Sequence, residues 1–383
     1  MKIVYIASSG GPGGASVALY NLIKGLYLKH DLHVVFPQKG FFSESVESLG
    51  IKCHYLPFYN LTMYPRLLGF RRKIRFFYDL LSILYSNHIA FKALLKLCDD
   101  IKPNIIHTNV GPLDIGFKVA RHLHIKHVWH IREYQDLDFG IRFFPSKRKF
   151  SSMLSCSENY SIAITNDIFN YWKLDPTKAK VIYDGVVGDN EHSYNPVKNN
   201  YFLFVGRLED AKGIKILLRA YGAFCRTNKN FCLLVAGKGS DKYMDECKQI
   251  IKVLGIENMV SFLGHRTDVY KLMEDATALV VPSRFEGFGF ITTEAMYNHC
   301  LVIGKNTAGT KEQFDNGLYQ IGSEIGLRFE TEKDLLSVFH KVVNLSSLEY
   351  NKIVENAYSV VIENYTISNH INNIEFSYST ITN

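Results

Sequence analysis

The segment RFEGFGFITTEA, residues 284–295, places Glu286 and Glu294 on either side of seven residues that include two glycines and no other charge. The apolar run ALVVP precedes it, and we predict that a helix begins near Phe290. Glu286 then lies in the loop, Glu294 lies about one turn inside the helix, and the amides of GFG lie at the helix N-terminus. Carboxylates accept hydrogen bonds from hydroxyls and the amides donate to phosphate. The alternatives are two acids favoured only by the helix dipole, or the carboxylate couple of a hydrolase.

Two cations follow another predicted strand. The segment VGRLEDAKG places Arg207 just after an apolar strand that begins at Tyr201, and Lys212 at or near the start of the next helix. Ligands of open α/β sheets bind at the carboxyl ends of the strands. Two cations that converge there can hold a diphosphate, since each charge-assisted hydrogen bond is worth roughly 1.5 to 3 kcal/mol. A pair of solvated surface cations is the alternative.

A glycine-rich turn near the N-terminus suits an anionic ligand. The turn SSGGPGGAS has four glycines in nine residues, including Gly13 and Gly14, and joins a predicted strand to a predicted helix. Its backbone can approach a ligand closely and present N–H groups at the positive end of the helix. The turn matches neither the dinucleotide fingerprint nor a Walker A motif. A tight turn that binds nothing is the alternative.

These candidate residues belong to a repeating pattern of short apolar runs and helical segments. The runs KIVYIA and YFLFVG each open a β-loop-α unit, and further runs of the same kind follow both: LHVVF, IKCHYLP, NIIHT, HVWHI and SIAIT after the first, and CLLVAG, MVSFLG, ALVVP and LVIG after the second. This alternation predicts parallel sheets covered on both faces, and hence two Rossmann-like, doubly wound α/β domains. We place them at residues 1–190 and 197–364, joined by the polar segment 188–200. Residues 365–383 form a final helix with one apolar stripe.

Composition narrows the class of protein. The 383 residues suit two domains, and the seven cysteines are scattered without a C-x-x-C pair, which indicates reduced thiols in the cytoplasm. No run approaches the roughly 18 apolar residues of a spanning helix, and we expect neither a signal peptide nor a transmembrane segment. Residues 1–195 hold 24 Lys and Arg against 16 Asp and Glu, whereas the rest of the chain is almost neutral.

Much of this basic charge lies in one predicted helix. In GFRRKIRFFYDLLSILY, the residues Phe70, Ile74, Phe77, Leu81 and Leu84 form one helical stripe, and Arg71, Arg72 and Arg75 point away from it. The favoured interpretation is an interfacial helix at an anionic membrane, near a lipid-diphosphate acceptor. The segment 140–150, with Lys147 and Arg148, adds cations and phenylalanines. The alternative is a helix that packs on the domain with solvated cations. No recognition motif for nucleic acid accompanies the charge.

Five segments follow one another along the chain: GGPGGAS, HIRE, VGRLEDAKG, LVVPSRFEGFGFITTEA and NTAGTKE. In this order they resemble the retaining GT-B glycosyltransferases whose signature is Glu, seven residues, Glu. That family is known as glycosyltransferase family 4 or glycosyl transferases group 1. The resemblance covers almost the whole chain. It implies two Rossmann-like domains facing across a cleft, with a nucleotide-sugar donor bound mainly by the C-terminal domain and the acceptor by the N-terminal one. It also implies that the final helix crosses back to the first domain.

The resemblance also implies individual roles. Arg207 and Lys212 would hold the donor diphosphate, Glu294 the ribose hydroxyls and Glu286 the transferred sugar, while His130 matches the family histidine near the sugar. Gly13 and Gly14 would close over the donor. The remaining donor contacts would come from residues around the phosphate, base and sugar: Gly237, His265, Phe288, Gly289 and Phe290.

We expect no metal or other cofactor, because Arg207, Lys212 and the helix N-termini can stabilise the leaving diphosphate. The DLD sequence at 136–138 has the form of a metal motif but lies in a polar stretch rather than at a strand end. The expected activity is retaining transfer to a glycan or lipid-linked acceptor, in polysaccharide or glycolipid biosynthesis at the cytoplasmic face of the membrane. A GT-B sugar-nucleotide epimerase and a non-catalytic nucleotide-sugar-binding subunit are the alternatives.

Overall fold

A computed structural model describes residues 1–11, 13–63, 70–190 and 194–382, with the backbone alone at 63, 70–77 and 139. The chain forms two compact units. Unit 1 contains Met1–Gly185 together with Ile367–Asn383, and unit 2 contains Val186–Thr366. Each unit has its own parallel sheet with helices packed on it, which confirms the predicted α/β class and the two doubly wound domains.

Unit 1 is built on a seven-stranded parallel sheet of order β3-β2-β1-β5-β6-β8-β9, and a two-stranded antiparallel pair joins β4 to β7. Its strands are β1 (Lys2–Ala7), β2 (Asp31–Phe36), β3 (Lys52–Tyr55), β4 (Thr62–Met63), β5 (Ile105–Asn109), β6 (Lys126–Ile131), β7 (Arg142–Phe143), β8 (Asn159–Ala163) and β9 (Ala179–Val181). Its helices before the linker are α1 (Gly14–Leu26), α2 (Phe41–Glu47), α3 (Phe70–Ile101), α4 (Ile115–Leu123), α5 (Asp136–Phe139), α6 (Lys147–Leu154) and α7 (Asn166–Tyr171).

Unit 2 is built on a six-stranded parallel sheet of order β12-β11-β10-β13-β14-β15. Its strands are β10 (Asn199–Val205), β11 (Cys232–Ala236), β12 (Val260–Gly264), β13 (Ala276–Val281), β14 (Val302–Lys305) and β15 (Leu327–Phe329). Its helices are α8 (Ile214–Phe224), α9 (Asp241–Leu254), α10 (Val269–Asp275), α11 (Phe290–Tyr297), α12 (Ala308–Ile321), α13 (Glu332–Val343) and α14 (Ser347–Asn364). The final helix α15 (Ile367–Thr382) belongs to unit 1.

The apolar runs that predicted the strands are the buried centres of both sheets. All six residues of β13 and five of the six residues of β1 are buried, as expected for strands covered by helices on both faces. In each sheet the strand order reverses direction beside the first strand, between β1 and β5 in unit 1 and between β10 and β13 in unit 2. Ligands of doubly wound sheets bind outside the carboxyl ends of the strands at this switch point. The topology therefore predicts that the loops after these four strands bind ligands.

Helix α15 completes the core of unit 1. Ile374 and Tyr378 are fully buried against the face of the sheet that α1 also covers. The Tyr378 hydroxyl lies 2.9 Å from the Tyr5 hydroxyl and 2.6 Å from Nδ1 of His107. These three buried polar groups satisfy one another, so the helix is tied to β1 and β5 by hydrogen bonds as well as by apolar packing.

We expect Tyr378→Phe to lower the free energy of unfolding by about 1–3 kcal/mol, because it leaves buried polar groups on Tyr5 and His107 without a partner. Urea unfolding followed by circular dichroism measures the change. Tyr319→Phe is the control, since Tyr319 is 94% exposed and its loss should change stability by less than about 0.5 kcal/mol. Equal effects of the two substitutions would show that the buried hydroxyl contributes nothing.

Within the described residues, no helix combines the length and the apolar character needed to cross a membrane. Helix α3 is the longest helix, with 32 residues. Its C-terminal half packs Ala90, Leu94 and Cys98 into the core, all of them fully buried. Its preceding turns carry apolar side chains that the core does not cover, among them Leu81 and Leu84 of the predicted stripe.

Candidate active site

The switch point of unit 2 gathers the residues that the sequence singled out. Arg207 follows β10 by two residues, Lys212 ends a short 3₁₀ turn over Asp210–Lys212, and Glu286 lies in the loop between β13 and α11. Gly213 makes this arrangement possible. Its φ is +72°, and a Cβ atom there would collide with the carbonyl oxygen of Pro282 at the end of β13. Glycine therefore brings the turn after β10 against the loop after β13.

Lys212 and Glu286 form the centre of this cluster. The Lys212 Nζ atom donates to Glu286 Oε1 over 2.6 Å, and both side chains are partly buried. An ammonium group and a carboxylate held together at the carboxyl edge of the sheet offer a donor for phosphate beside an acceptor for hydroxyls. Arg207 lies in the same loop as Lys212 but points to solvent, where it pairs with Glu209 at 3.1 Å.

Glu294 lies in the second turn of α11, which begins at Phe290 as the sequence predicted. The helix leaves the carboxylate mostly enclosed, and this burial raises the pKa of Glu294 to about 7. A carboxylate that lacks water is a strong acceptor for a ligand hydroxyl, because the ligand restores the hydrogen bonds that burial removed. The carboxyl of Glu294 is thus suited to bind a ligand that replaces water.

The loop between the two glutamates is fixed by α12, which the sequence did not reveal. Gln313 is buried, and its Nε2 atom donates to the carbonyl oxygens of Phe288 at 2.7 Å and Gly289 at 3.2 Å. Gly309 lies so close to the loop that a Cβ atom would collide with the carbonyl of Phe288, and its amide donates to the carbonyl of Glu286 at 2.9 Å. Phe288 itself is buried rather than presented to a ligand. The loop that contains Phe288 can therefore offer backbone groups to a ligand, but not the Phe288 ring.

We expect Gln313→Ala to weaken nucleotide binding about tenfold, because the loop carbonyls lose their donor and the amides beside them lose their fixed position. Titration calorimetry with the nucleotide-sugar that raises the unfolding midpoint measures the affinity. Gln320→Ala, on the exposed end of α12, is the matched control and should leave affinity unchanged. Unchanged affinity for Gln313→Ala would show that the loop holds its position without this side chain.

A cavity in unit 2 has a volume of about 270 Å³ and adjoins Arg207. It is lined also by Gly237, which follows β11, and by His265, which follows β12. Gly237 has a φ of +150°, and a side chain there would collide with the carbonyl of Gly206. Three predicted donor-binding residues therefore surround one cavity at the carboxyl edge of the sheet.

In unit 1 the glycine turn and β5 meet at the switch point. Gly13 is the N-cap of α1, and a side chain there would meet no described atom within 4 Å. Gly13 and Gly14 are both exposed, so a ligand can reach their backbone. The Asn109 Nδ2 atom donates to the carbonyl of Ala15 at 3.3 Å, and its Oδ1 atom accepts from Arg132 Nε at 2.9 Å. Asn109 thus ties the start of α1 to the loop after β6.

Arg132, in the segment HIRE, is a buried cation that the sequence analysis did not select as a candidate site residue. Its guanidinium forms an ion pair with Asp184, and both side chains are almost completely buried. The pair joins the end of β6 to the segment that leaves unit 1. The position of Arg132 directly after β6 is a signal for this residue, because candidate ligand-binding residues are expected at the ends of strands.

His130 lies in the interior of unit 1 rather than on its surface. Its ring is fully buried, stacks on His370 of α15 at a centroid distance of 5.8 Å, and has Nδ1 at 3.4 Å from Arg132 Nη2. Burial and the nearby Arg132 hold the pKa of His130 well below its ordinary value, so the ring is neutral. In this structure the ring contacts Arg132, and the role near the sugar stays a prediction.

The predicted acceptor-side cations fall in two groups. The side chains of Arg71, Arg72 and Arg75 lie outside the described residues. Lys147 is engaged locally, since it contacts the Tyr171 hydroxyl and donates to Asp136 Oδ2 at 3.1 Å, whereas Arg148 is exposed.

The acids of the DLD sequence stabilise their own loop. Asp138 accepts from the backbone amides of Tyr134 and Gln135 at 2.7 and 3.3 Å, and Asp136 bonds to Tyr171 and Lys147. Across the part of the chain that the structure describes, no three His, Cys, Asp or Glu side chains are grouped as metal ligands.

This chain is similar to known proteins over part or nearly all of its length. Residues 189–360 match the family described as "Glycosyl transferases group 1". The "N-acetylgalactosamine-N,N'-diacetylbacillosaminyl-diphospho-undecaprenol 4-alpha-N-acetylgalactosaminyltransferase" of Campylobacter jejuni is 28% identical over 173 residues, which span 44% of each chain. The "O-antigen biosynthesis glycosyltransferase WclY" of Escherichia coli is 24% identical over 332 residues, 82% of this chain and 83% of that one.

Solved structures share the fold over the whole length. The crystal structure of Anabaena Alr3699/HepE in complex with UDP has a TM-score of 0.79 at 19% identity and covers 99% of this chain and all of that one. The lipopolysaccharide outer core galactosyltransferase WaaB has a TM-score of 0.68. These matches identify the chain as a glycosyltransferase with the GT-B fold, similar to the group 1 glycosyltransferases over residues 189–360.

Proposed function

We propose that this protein transfers a sugar from a nucleotide-sugar to a glycan or lipid-diphosphate-linked acceptor, without a metal ion and with retention of the anomeric configuration. The observation that carries the proposal is the Lys212–Glu286 pair beside the N-terminus of α11. It places a cation, a carboxylate and a helix end within one loop cluster, which are the groups that a sugar diphosphate requires.

Each group has a role in the proposed reaction. Lys212, Arg207 and the first amides of α11 stabilise the negative charge that grows on the departing diphosphate. Glu286 accepts from hydroxyls of the transferred sugar, and Glu294 accepts from the ribose. The acceptor hydroxyl attacks from the face that the diphosphate leaves, and a phosphate oxygen of the leaving group takes its proton. This route gives retention without a protein nucleophile.

The relatives support the class of acceptor and of pathway. The Campylobacter jejuni relative is named for a diphospho-undecaprenol substrate, and the relatives CapH of Staphylococcus aureus and WclY are named for capsular polysaccharide and O-antigen biosynthesis. We propose by analogy a role in cell-surface polysaccharide or glycolipid assembly, with the protein peripheral at the cytoplasmic face of the membrane. The basic N-terminal half agrees with an anionic acceptor.

A thermal-shift screen against UDP-, GDP-, ADP- and dTDP-sugars tests the donor site. One nucleotide should raise the unfolding midpoint, because a ligand that binds only the folded state stabilises it by mass action. Donor turnover is then measured with and without a chelator and should be equal in both. Loss of turnover in the chelator would overturn metal independence. Recovery of an epimerised nucleotide-sugar would favour an epimerase, and binding without any turnover would favour a non-catalytic subunit.

A further inference from the structure

Helix α3 presents an apolar face that the protein leaves uncovered. Tyr78, Leu81, Tyr85 and Ile89, which we call the α3 stripe, are spaced three or four residues apart and therefore share one side of the helix. Their exposed fractions are 73%, 65%, 68% and 43%. A contiguous patch of large exposed apolar side chains marks an interaction site, whereas single exposed residues need no explanation.

A groove lies beside the α3 stripe, between α3, α4 and α6. Its volume is about 540 Å³, and we call it the α3–α4–α6 groove. Its apolar lining includes Leu84, Phe91, Phe117 and Met153. Leu84 belongs to the same exposed part of α3 as the stripe, with 41% of its surface exposed, so the apolar surface continues from the helix into the groove.

Cations outnumber acids among the described residues that line the groove. Lys118, Arg121 and Lys149 come from two different helices and are all exposed. Asp114 is the acid among the lining residues, and its carboxylate is already paired with Lys118 at 2.6 Å. Arg121 lies 3.9 Å from Glu158, a long contact between exposed groups that contributes little. Arg121 and Lys149 thus offer positive charge at an apolar groove.

We propose that the α3 stripe and the α3–α4–α6 groove form a membrane-docking surface that binds anionic phospholipid. The lipid phosphate contacts Arg121 and Lys149, an acyl chain lies on the apolar lining, and the α3 stripe enters the boundary between headgroups and acyl chains. The inference deepens the proposed function and rests on it, since a lipid-linked acceptor brings the enzyme to a membrane. The proposal assigns membrane docking to residues other than Arg71, Arg72 and Arg75, the arginines that the sequence analysis selected.

Charge decides between this occupant and a second copy of the chain. The described lining of the groove carries Lys118, Arg121 and Lys149 against Asp114, so two such surfaces repel each other, whereas an anionic lipid surface attracts them. A lipid also fits the groove chemically, because it joins an anionic group to an apolar chain in one molecule.

Co-sedimentation with vesicles of phosphatidylglycerol and phosphatidylcholine tests the surface. The wild-type protein should bind these vesicles at physiological salt and bind pure phosphatidylcholine much more weakly. Leu81→Gln/Tyr85→Gln should reduce the partition coefficient by roughly 30-fold. Arg121→Gln/Lys149→Gln should reduce it by roughly fivefold for each charge removed. Leu28→Gln and Tyr319→Gln, at residues 83% and 94% exposed on other surfaces, are the controls and should bind like the wild type.

A second readout reports on the groove itself. Cys156 lines the groove, and anionic vesicles should slow its alkylation by a maleimide several-fold, while the exposed Cys232 of unit 2 reacts at an unchanged rate. The proposal is overturned if both double variants bind as tightly as the wild type, or if vesicles leave Cys156 alkylation unchanged. It is also overturned if light scattering shows a dimer that Leu81→Gln/Tyr85→Gln dissociates. Donor turnover without vesicles, measured on the same variants, should equal that of the wild type. An absence of donor turnover in every protein, the wild type included, would count against the proposed function and not against the docking surface.

Discussion

Replacing Glu286 with glutamine, or Lys212 with alanine, is expected to reduce sugar transfer by about a hundredfold to a thousandfold while the fold stays intact. Lys212 Nζ lies 2.6 Å from Glu286 Oε1, so in the free protein each charge is paired with the other. Glu286→Gln removes the charged acceptor for the sugar, and Lys212→Ala removes a cation that stabilises the leaving diphosphate. Initial rates of transfer with saturating donor measure the loss.

The contact between the two residues gives a sharper expectation. Residues that act as a unit are strongly non-additive, so Lys212→Ala/Glu286→Gln should lose about as much activity as the worse single variant. The neighbouring pair of Lys215 and Glu246, at 2.7 Å on α8 and α9, is the matched control. Lys215→Ala/Glu246→Gln should retain activity within about twofold, because surface pairs contribute little.

Two outcomes would contradict this assignment. Near-full turnover by Glu286→Gln would remove its role in holding the transferred sugar. Multiplied losses in the double variant would show that the two residues act independently, in spite of their contact. Circular dichroism melts should be similar for all variants, because a partly exposed pair adds only about 1 kcal/mol to stability.

The second expectation is that Glu294→Gln stabilises the free protein at pH 8 and weakens donor binding. Burial raises the pKa of Glu294 from 4.5 to about 7, so between these values the folded protein keeps a proton that the unfolded chain has released. Stability therefore falls as the pH rises through this window, and ionisation costs on the order of 3 kcal/mol above pH 7. A neutral glutamine avoids most of this cost.

The measurement is a comparison of unfolding midpoints at pH 8 and pH 5. Glu294→Gln should raise the midpoint by several degrees at pH 8 and leave it nearly unchanged at pH 5, where the wild-type carboxyl is already neutral. An equal gain at both pH values would attribute the effect to packing and not to charge.

Donor binding should change in the opposite direction. The carboxylate accepts from both ribose hydroxyls in the proposed function, so its replacement should weaken donor binding by about tenfold to a hundredfold. For the wild type, affinity should also fall as the pH drops below 7, because protonation of Glu294 removes the charged acceptor. Glu294→Gln should not show this pH dependence, and its persistence in the variant would assign the titration to another group.

The fold and the unit 2 cluster could be predicted because their signals are local. The runs that form β1, β10 and β13 are largely apolar over consecutive residues, and Gly213 and Gly289 follow β10 and β13 within a short loop. Spacing along the chain therefore located Arg207, Lys212 and Glu286 at strand ends. By contrast, β15 has only three residues and gives no such signal.

The supporting residues could not be predicted because they act across long separations. Gln313 reaches a loop 24 and 25 residues earlier, and Asp184 pairs with an arginine 52 residues before it. In α3, apolar residues occur on two sides of the helix, and periodicity does not tell which side the core covers. The structure shows that Leu94 is buried and that Leu81 is exposed. The side chains of Phe70, Ile74 and Phe77, which belong to the predicted stripe, lie outside the described residues.

Unit 1 cannot be completed until α15 has been synthesised, because α15 is part of its core. Unit 1 is assembled from Met1–Gly185 and Ile367–Asn383, and all of unit 2 is synthesised between them. Tyr5 and His107 leave the ribosome early, yet their buried partner Tyr378 comes only after Thr366. The nascent protein must therefore keep the α15 face of unit 1 open while unit 2 folds, and a chaperone that shields apolar surface has its longest opportunity there.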